Sequence, residues 1–213
     1  MVDIKITNKN KELKAMTRTE LINGLIEKNN YKSYLEIGVN TPAQPGYNWV
    51  GIKIPVKHGV DPNVDTTYKM TSDEFFENHI SQKYDIVFVD GLHLHEQVYR
   101  DIVNSLNNLN ENGVIVVHDC NPITEITQRR ERASDAWHGD VWKAIVQLRI
   151  ENEGVEIHTV NTDEGCGIIK KGKQKLLKIE DGEDVYNYDY LDNNRDKAIK
   201  LISIEEFKNM FIN

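Results

Sequence analysis

The sequence predicts an α/β fold built on a doubly wound, mostly parallel sheet, and three observations carry that prediction. Two short β-branched runs, 86–89 and 114–117, are bounded by polar breaks, as in strands covered on both faces. Between them Val98, Ile102, Leu106 and Leu109 recur at three- and four-residue spacing, which makes one buried face of a crossover helix. Each run then breaks into reactive side chains: Asp90-Gly91 with His93 close behind, and His118-Asp119. Parallel strands joined through a helix bring such ends to one carboxyl edge, where open α/β sheets hold their ligands. Asp90, His93, His118 and Asp119 should therefore meet.

The elements follow in order. Residues 1–15 are polar and Lys-rich. Thr17-Arg18-Thr19-Glu20 is a capping-box pattern ahead of Leu21, Leu25 and Ile26, so a helix starts there and ends at the turn-prone Asn29-Asn30. SYLEIG at 33–38 reads as the first strand, leading into a loop with Pro42, Pro45 and Gly46; 57–61 reads as the second strand and 68–70 as a very short third. Thr71-Ser72-Asp73-Glu74 repeats the capping box before Phe75, Phe76 and Ile80. Asn112-Gly113 is expected to end the crossover helix with a left-handed residue.

Residues 121–139, with Arg129-Arg130-Glu131-Arg132, are too polar for core and longer than most connections, a pattern common in lids and substrate loops. Trp142, Ile145, Val146 and Leu148 then form a helical stripe. Residues 155–160 alternate as a strand, and 165–169 is expected to pair with it across 161–164 as an antiparallel edge hairpin. The rest is weakly patterned until Ser203-Ile204-Glu205-Glu206 opens a short final helix.

With 213 residues and no Pro/Gly/Ser-rich linker, the chain reads as one domain, a core of about 17–171 and an extension over 172–213. The net charge of −8 and the lack of a long basic cluster argue against nucleic acid as a partner. There is no apolar core of signal-peptide length and no run of about eighteen apolar residues, so neither export nor a membrane is expected, and the location is read as cytoplasmic. Cys120 and Cys166 lack a metal-knuckle spacing such as CxxC and are expected to be free buried thiols. The acidic tail leaves open a cover over the site or a homo-oligomer contact.

Six ordered blocks resemble the class I S-adenosylmethionine-dependent methyltransferases, in particular the small-molecule branch called methyltransferase domain family 24. They are YLEIGV at 34–39, GVDP at 59–62, MTSDEFF at 70–76, YDIVFVDGLH at 84–93, NGVIVVHDCNP at 112–122 and HGDVWKA at 138–144, and the similarity spans roughly 34–170. It implies a Rossmann-like, seven-stranded sheet with a C-terminal antiparallel hairpin and helices on both faces, and S-adenosylmethionine as methyl donor.

By the same resemblance Glu36 and Gly38 would hold the methionine part of the donor, Asp61 the ribose diol, and Ser72 and Asp73 the adenine ring. Asp90 would face both donor and acceptor. The chain departs from the family's GxGxG-like loop, since Gly38 is followed by VNTPAQP; Asn40 and Thr41 are candidates to contact the donor's carboxylate instead. Similar sugar O-methyltransferases orient acceptor hydroxyls on a divalent cation. Asp90 and Asp119 match those metal-ligand positions, His93 matches the base, and His118 stands where relatives place an acidic residue, so magnesium or a softer cation would be held by Asp90, Asp119 and His118.

The acceptor implied is a sugar or sugar-nucleotide hydroxyl. Two other readings stand beside it. A metal-dependent hydrolase would use Asp90, His93, His118 and Asp119 but leave GVDP and TSDEFF without purpose. A noncatalytic binding module on a degenerate methyltransferase fold is motivated by the altered glycine loop and His118. A nicotinamide enzyme is disfavoured because GxGxxG is missing after the first strand.

Overall fold

The structure, a computed structural model, describes residues 16–44 and 47–213; the Lys-rich stretch 1–15 and the loop residues Pro45 and Gly46 lie outside the described residues. Helix α1 (Arg18–Asn29) begins at a complete capping box, in which the Thr17 hydroxyl accepts from the Glu20 N–H and the Glu20 carboxylate accepts from the Thr17 N–H. It stops at Asn30, whose φ of 54° is left-handed. There follow β1 (Ser33–Ile37), α2 (Asn48–Gly51), β2 (Val56–Val60), α3 (Ser72–Asn78), β3 (Tyr84–Val89), α4 (His95–Asn107), β4 (Leu109–Val117), α5 (Trp142–Glu151), β5 (Val155–Val160) and β6 (Cys166–Lys171). The extension adds α6 (Tyr188–Asn193), α7 (Arg195–Ile199), β7 (Leu201–Ile202) and α8 (Ile204–Phe207), which runs on into a π-helical turn at Lys208–Ile212.

The seven strands lie in the order β2-β1-β3-β4-β6-β5-β7. The first four are parallel, β6 runs antiparallel to both β4 and β5, and β7 is parallel to β5. The β5–β6 hairpin is therefore not at the edge as expected. β6 is interior, and the outer side of β5 is covered by β7, whose two residues close an otherwise bare row of backbone donors and acceptors. The expected third strand at 68–70 shrinks to a single bridge between Val60 and Tyr68.

The crossover helix also ends differently. It stops at Asn108, five residues short of Gly113, because the buried Asn108 amide donates to the carbonyls of Gln82 and His79 at 2.8 and 3.2 Å while its own carbonyl accepts from the Tyr84 N–H. Leu109 belongs to β4, not to the helix face. Gly113 lies inside β4 without a positive φ; a Cβ there would come within 2.8 Å of the Asp85 carbonyl, so the glycine serves close strand approach.

Alternation along β1, β3 and β4 splits the core in two. Leu35, Ile37, Val87, Val89, Ile115 and Val117 face a layer that includes Phe75, Ile102, Trp142 and Ile145. Tyr34, Ile86, Phe88, Val114 and Val116 face Leu21, Leu25 and Phe207. Helices thus cover both faces, as a doubly wound sheet requires. Among the described residues no helix is long and apolar enough to cross a membrane. Both cysteines are free and buried, and burial pushes the Cys166 thiol up to about 12, so neither is an activated nucleophile.

Candidate active site

Register brings the site together. Ile37 pairs with Val60 on one side and Val89 on the other, and Val89 pairs with Val117, so four parallel strands end on one line. The next residue of each, Asp61, Gly38, Asp90 and His118, stands in a row along the carboxyl edge. This row, with Glu36, Asn40, Ser72, Asp73, His93 and Asp119, lines a cavity of about 700 Å³, a size suited to a small-molecule ligand. The donor-binding, base and metal-ligand candidates from sequence all line it except Thr41, whose hydroxyl donates to the Asn40 side chain instead.

His93 lies between two carboxylates, with Nε2 3.3 Å from Asp90 Oδ1 and Nδ1 3.2 Å from Asp119 Oδ2. Nδ1 is also 3.2 Å from the Trp137 carbonyl, and the imidazole stacks on the Trp137 indole at 5.0 Å. Burial opposes a charged imidazole, yet Asp90 and Asp119 outweigh it and raise the pKa of His93. The ligand atoms of Asp90, His93 and Asp119 all lie within 4.8 Å of one another, a spacing that fits a single cation.

His118 turns Nδ1 toward the same pair, 3.4 Å from Asp90 Oδ1 and 3.2 Å from Asp119 Oδ1, and Nε2 toward Asp163 Oδ1 at 3.5 Å. Asp163 also accepts from the Arg18 backbone N–H at 2.5 Å and from its guanidinium at 3.1 Å. Burial works against the charges here as well, but the three carboxylates raise His118 well above its ordinary value, and His118 and His93 hold Asp90 below the usual carboxylate range. Against burial, His118 and Arg18 keep Asp163 at about 2. Asp119, Asp163 and Glu164 all have positive φ (60°, 45° and 61°), an uncommon state for residues other than glycine; the first two carboxylates meet His118 and the third meets His138.

Toward β1 and β2 the cavity is built for polar ligands. Gly38 has φ +85°, and a Cβ there would sit 2.2 Å from the Asp90 carbonyl, so only glycine lets the β1 turn pass over the end of β3. Glu36 is buried, accepts from the Tyr34 hydroxyl at 2.5 Å and from the Asn48 amide at 3.3 Å, and is pushed by burial up to about 8. Asp61 accepts from the Asn40 N–H at 3.0 Å and the Asn63 N–H at 2.8 Å. At the far end Ser72 and Asp73 begin α3 after the Thr71 capping box, and Asp73 pairs with Arg100 at 3.3 Å.

Some participants were not legible beforehand. Arg18 and Asp163 are 145 residues apart and meet only in the fold. Asp101 and Gln97 sit one turn apart on α4 and line the cavity; the spacing of Asp101 from Gln97 was the available signal. Trp137 and His138, which precede Gly139-Asp140, are by contrast candidates from sequence for the acceptor pocket; Trp137 lines the cavity, whereas His138 is buried against Glu164 at 3.1 Å and does not. His95, at the start of α4, is partly buried with Nε2 2.8 Å from Gln147 Oε1.

A family described as a methyltransferase domain, family 24, matches residues 15–120. Among solved structures, a protein assigned as a caffeoyl-CoA O-methyltransferase from Staphylococcus aureus superposes with a TM-score of 0.54 at 22% identity, over 72% of this chain and 82% of that one. The methyltransferase PaMTH1 of Podospora anserina, solved with S-adenosylhomocysteine, gives 0.53 at 15% identity over 73% and 78%. An O-methyltransferase from Bacillus cereus, also solved with S-adenosylhomocysteine, gives 0.51 at 12% over 72% and 80%. At these identities the likeness is one of fold. No curated protein matches the chain in sequence.

Proposed function

We propose, for a chain that belongs to the class I methyltransferases of domain family 24, that it transfers a methyl group from S-adenosylmethionine to a hydroxyl of a small molecule, foremost a sugar or sugar nucleotide. The observation that carries this reading is His93 held between Asp90 and Asp119, in the same cavity as Asp61. Two of the structural relatives are O-methyltransferases by name, which supports oxygen as the acceptor atom.

The bound donor would supply an electrophilic methyl on a sulfonium; the protein's task is alignment and proton removal. Asp61 uses two of about four carboxylate acceptor positions on backbone N–H groups, and the others suit a ribose diol. Glu36, Gly38 and Asn40 surround the methionine end, Ser72 and Asp73 flank the adenine end, and Asp90 faces the transfer point. With Nδ1–H directed at Asp119 and the Trp137 carbonyl, neutral His93 presents the lone pair of Nε2 to a hydroxyl that replaces its Asp90 contact.

The carboxylates of Asp90 and Asp119 would hold a divalent cation of the magnesium or manganese type beside His93, whose Nε2 stays free for the acceptor proton, and the ion would supply Lewis-acid charge near the acceptor oxygen. His118, with both nitrogens directed at carboxylates, flanks that set. Trp137 and Leu92 offer apolar faces on which a sugar ring can pack.

Calorimetric titration with S-adenosylmethionine and S-adenosylhomocysteine, with and without magnesium, tests the donor. Saturable binding of both is expected, and its absence refutes the reading. A panel of sugar hydroxyls with labelled donor then tests the acceptor.

A further inference from the structure

The cavity wall is acidic, with Glu36, Asp61, Asp73, Asp90, Asp101 and Asp119 along it, and two arginines stand among them, Arg18 and Arg132. Arg18 is engaged by Asp163 at 3.1 Å. Arg132 is exposed and, among the described residues, has no carboxylate partner; its neighbours differ, since Arg129 faces Glu125 at 3.9 Å and Arg130 pairs with Asp140 and Glu96 at 2.7 and 3.0 Å. Arg132 Nε donates to the Ser134 carbonyl at 3.4 Å and Nη2 to the Asp135 carbonyl at 3.2 Å, so two of a guanidinium's five N–H groups are used and the other three are not. The Trp137 indole N–H donates to the Arg129 carbonyl at 2.7 Å, which closes 129–137 into a bonded turn, and Arg130 fastens its base to α4 and Asp140. The same turn carries the Trp137 ring that stacks on His93 at 5.0 Å. Arg132 therefore belongs to the acceptor end of the cavity.

We infer that the acceptor carries a phosphoryl group held by Arg132, so that of the two acceptors named above the phosphorylated sugar is the substrate and the neutral sugar is not. The inference rests on the methyl-transfer reading and narrows its substrate class. Its basis is charge: an anionic acceptor meets carboxylates along most of this wall, and Arg132 is the cation there that no carboxylate of the described residues neutralises. A guanidinium presents N–H groups in a planar fork that matches two phosphate oxygens, and such charge-assisted bonds are strong. Arg132 binds the acceptor and takes no part in removing its proton, so its loss should weaken acceptor binding and spare the chemical step.

The experiment titrates the full chain, saturated with S-adenosylhomocysteine in buffer free of divalent cations, with inorganic phosphate and with pyrophosphate. Affinities are measured by calorimetry for the wild type, Arg132→Ala and Arg132→Gln, with thermal melting as the folding check. Saturable binding to the wild type at millimolar concentrations is expected, weakened about tenfold or more in Arg132→Ala. Affinity for S-adenosylhomocysteine should be the same in all three. Pyrophosphate bound more tightly than phosphate supports a sugar nucleotide, and equal binding a sugar monophosphate. In methyl transfer, with each sugar offered free, as its 1-phosphate and as its nucleoside diphosphate, turnover should be confined to the phosphorylated forms, and Arg132→Ala should raise KM with kcat near that of the wild type.

No saturable binding of either anion, or binding unchanged in Arg132→Ala, overturns the assignment and leaves the methyl-donor reading intact; no binding of S-adenosylhomocysteine overturns both. Affinity for S-adenosylhomocysteine lost in Arg132→Ala would place the guanidinium on the donor and overturns the inference, as does methylation of a free sugar as efficient as that of its phosphorylated form. If Arg132→Ala disturbs the melt, Arg132→Gln decides, since its amide can still donate to the Ser134 and Asp135 carbonyls without the charge: anion binding as tight as in the wild type refutes the inference.

Discussion

His93 follows Asp90 by three positions, at the end of β3, and its ring is held by Asp90, Asp119, the Trp137 carbonyl and the Trp137 indole. A base so positioned contributes in the transition state more than in binding. His93→Ala should therefore lower kcat and kcat/KM alike, by about 10²–10⁴-fold, in single-turnover methyl transfer. Glu36 yields a prediction about stability. Its pKa is raised by burial to about 8 in the folded protein against an unfolded value of about 4.3. Between those values the folded state binds more protons than the unfolded one, so the apo protein should lose stability as pH rises through that window, by up to roughly 1.4 kcal/mol per pH unit. Urea midpoints between pH 5 and 8 should show this slope, and Glu36→Gln should flatten it.

Among elements, the turn after β1 carries the tightest constraint. Gly38→Ala combines a left-handed φ with a Cβ 2.2 Å from the Asp90 carbonyl, and strain plus overpacking together should cost about 2–5 kcal/mol. Denaturant unfolding measures this; a loss under about 1 kcal/mol would show that the β1 turn can move away from β3. The β5–β6 turn acts at the other side of the site. Its left-handed Asp163 ties the start of α1 to the end of β4 through Arg18 and His118. A double-mutant cycle of Arg18→Ala and Asp163→Ala should show a coupling of about 0.5–3 kcal/mol, and additive losses would mean the contact does no structural work.

For the whole molecule, the extension is part of the sheet and the core. β7 covers the open side of β5, and Leu191, Ala198, Ile199 and Phe207 are fully buried. Deleting residues 172–213 should expose the β5 edge and both apolar layers. Size-exclusion chromatography should then show aggregates, or the melt should lose cooperativity. A monodisperse, cooperatively melting 1–171 fragment would show instead that the core folds unaided.

Local rules made much of this protein legible. The capping boxes at Thr17, Thr71 and Ser203, the β-branched runs and the polar breaks act over a few residues, and each appears where expected. From them the parallel sheet, its carboxyl edge and the meeting of Asp90, His93, His118 and Asp119 follow. Other features depended on contacts distant along the chain. The helix stop moved to Asn108 because its amide found the carbonyls of the α3–β3 loop, and the hairpin moved inward because residues at 201–202 reached the free side of β5. Arg18, Asp163 and Asp101 joined the site only through packing. Burial and pairing set what a polar side chain does, and neither is a property of the local sequence; the sequence alone determined which groups stand at the strand ends, and the tertiary structure decided which of them touch.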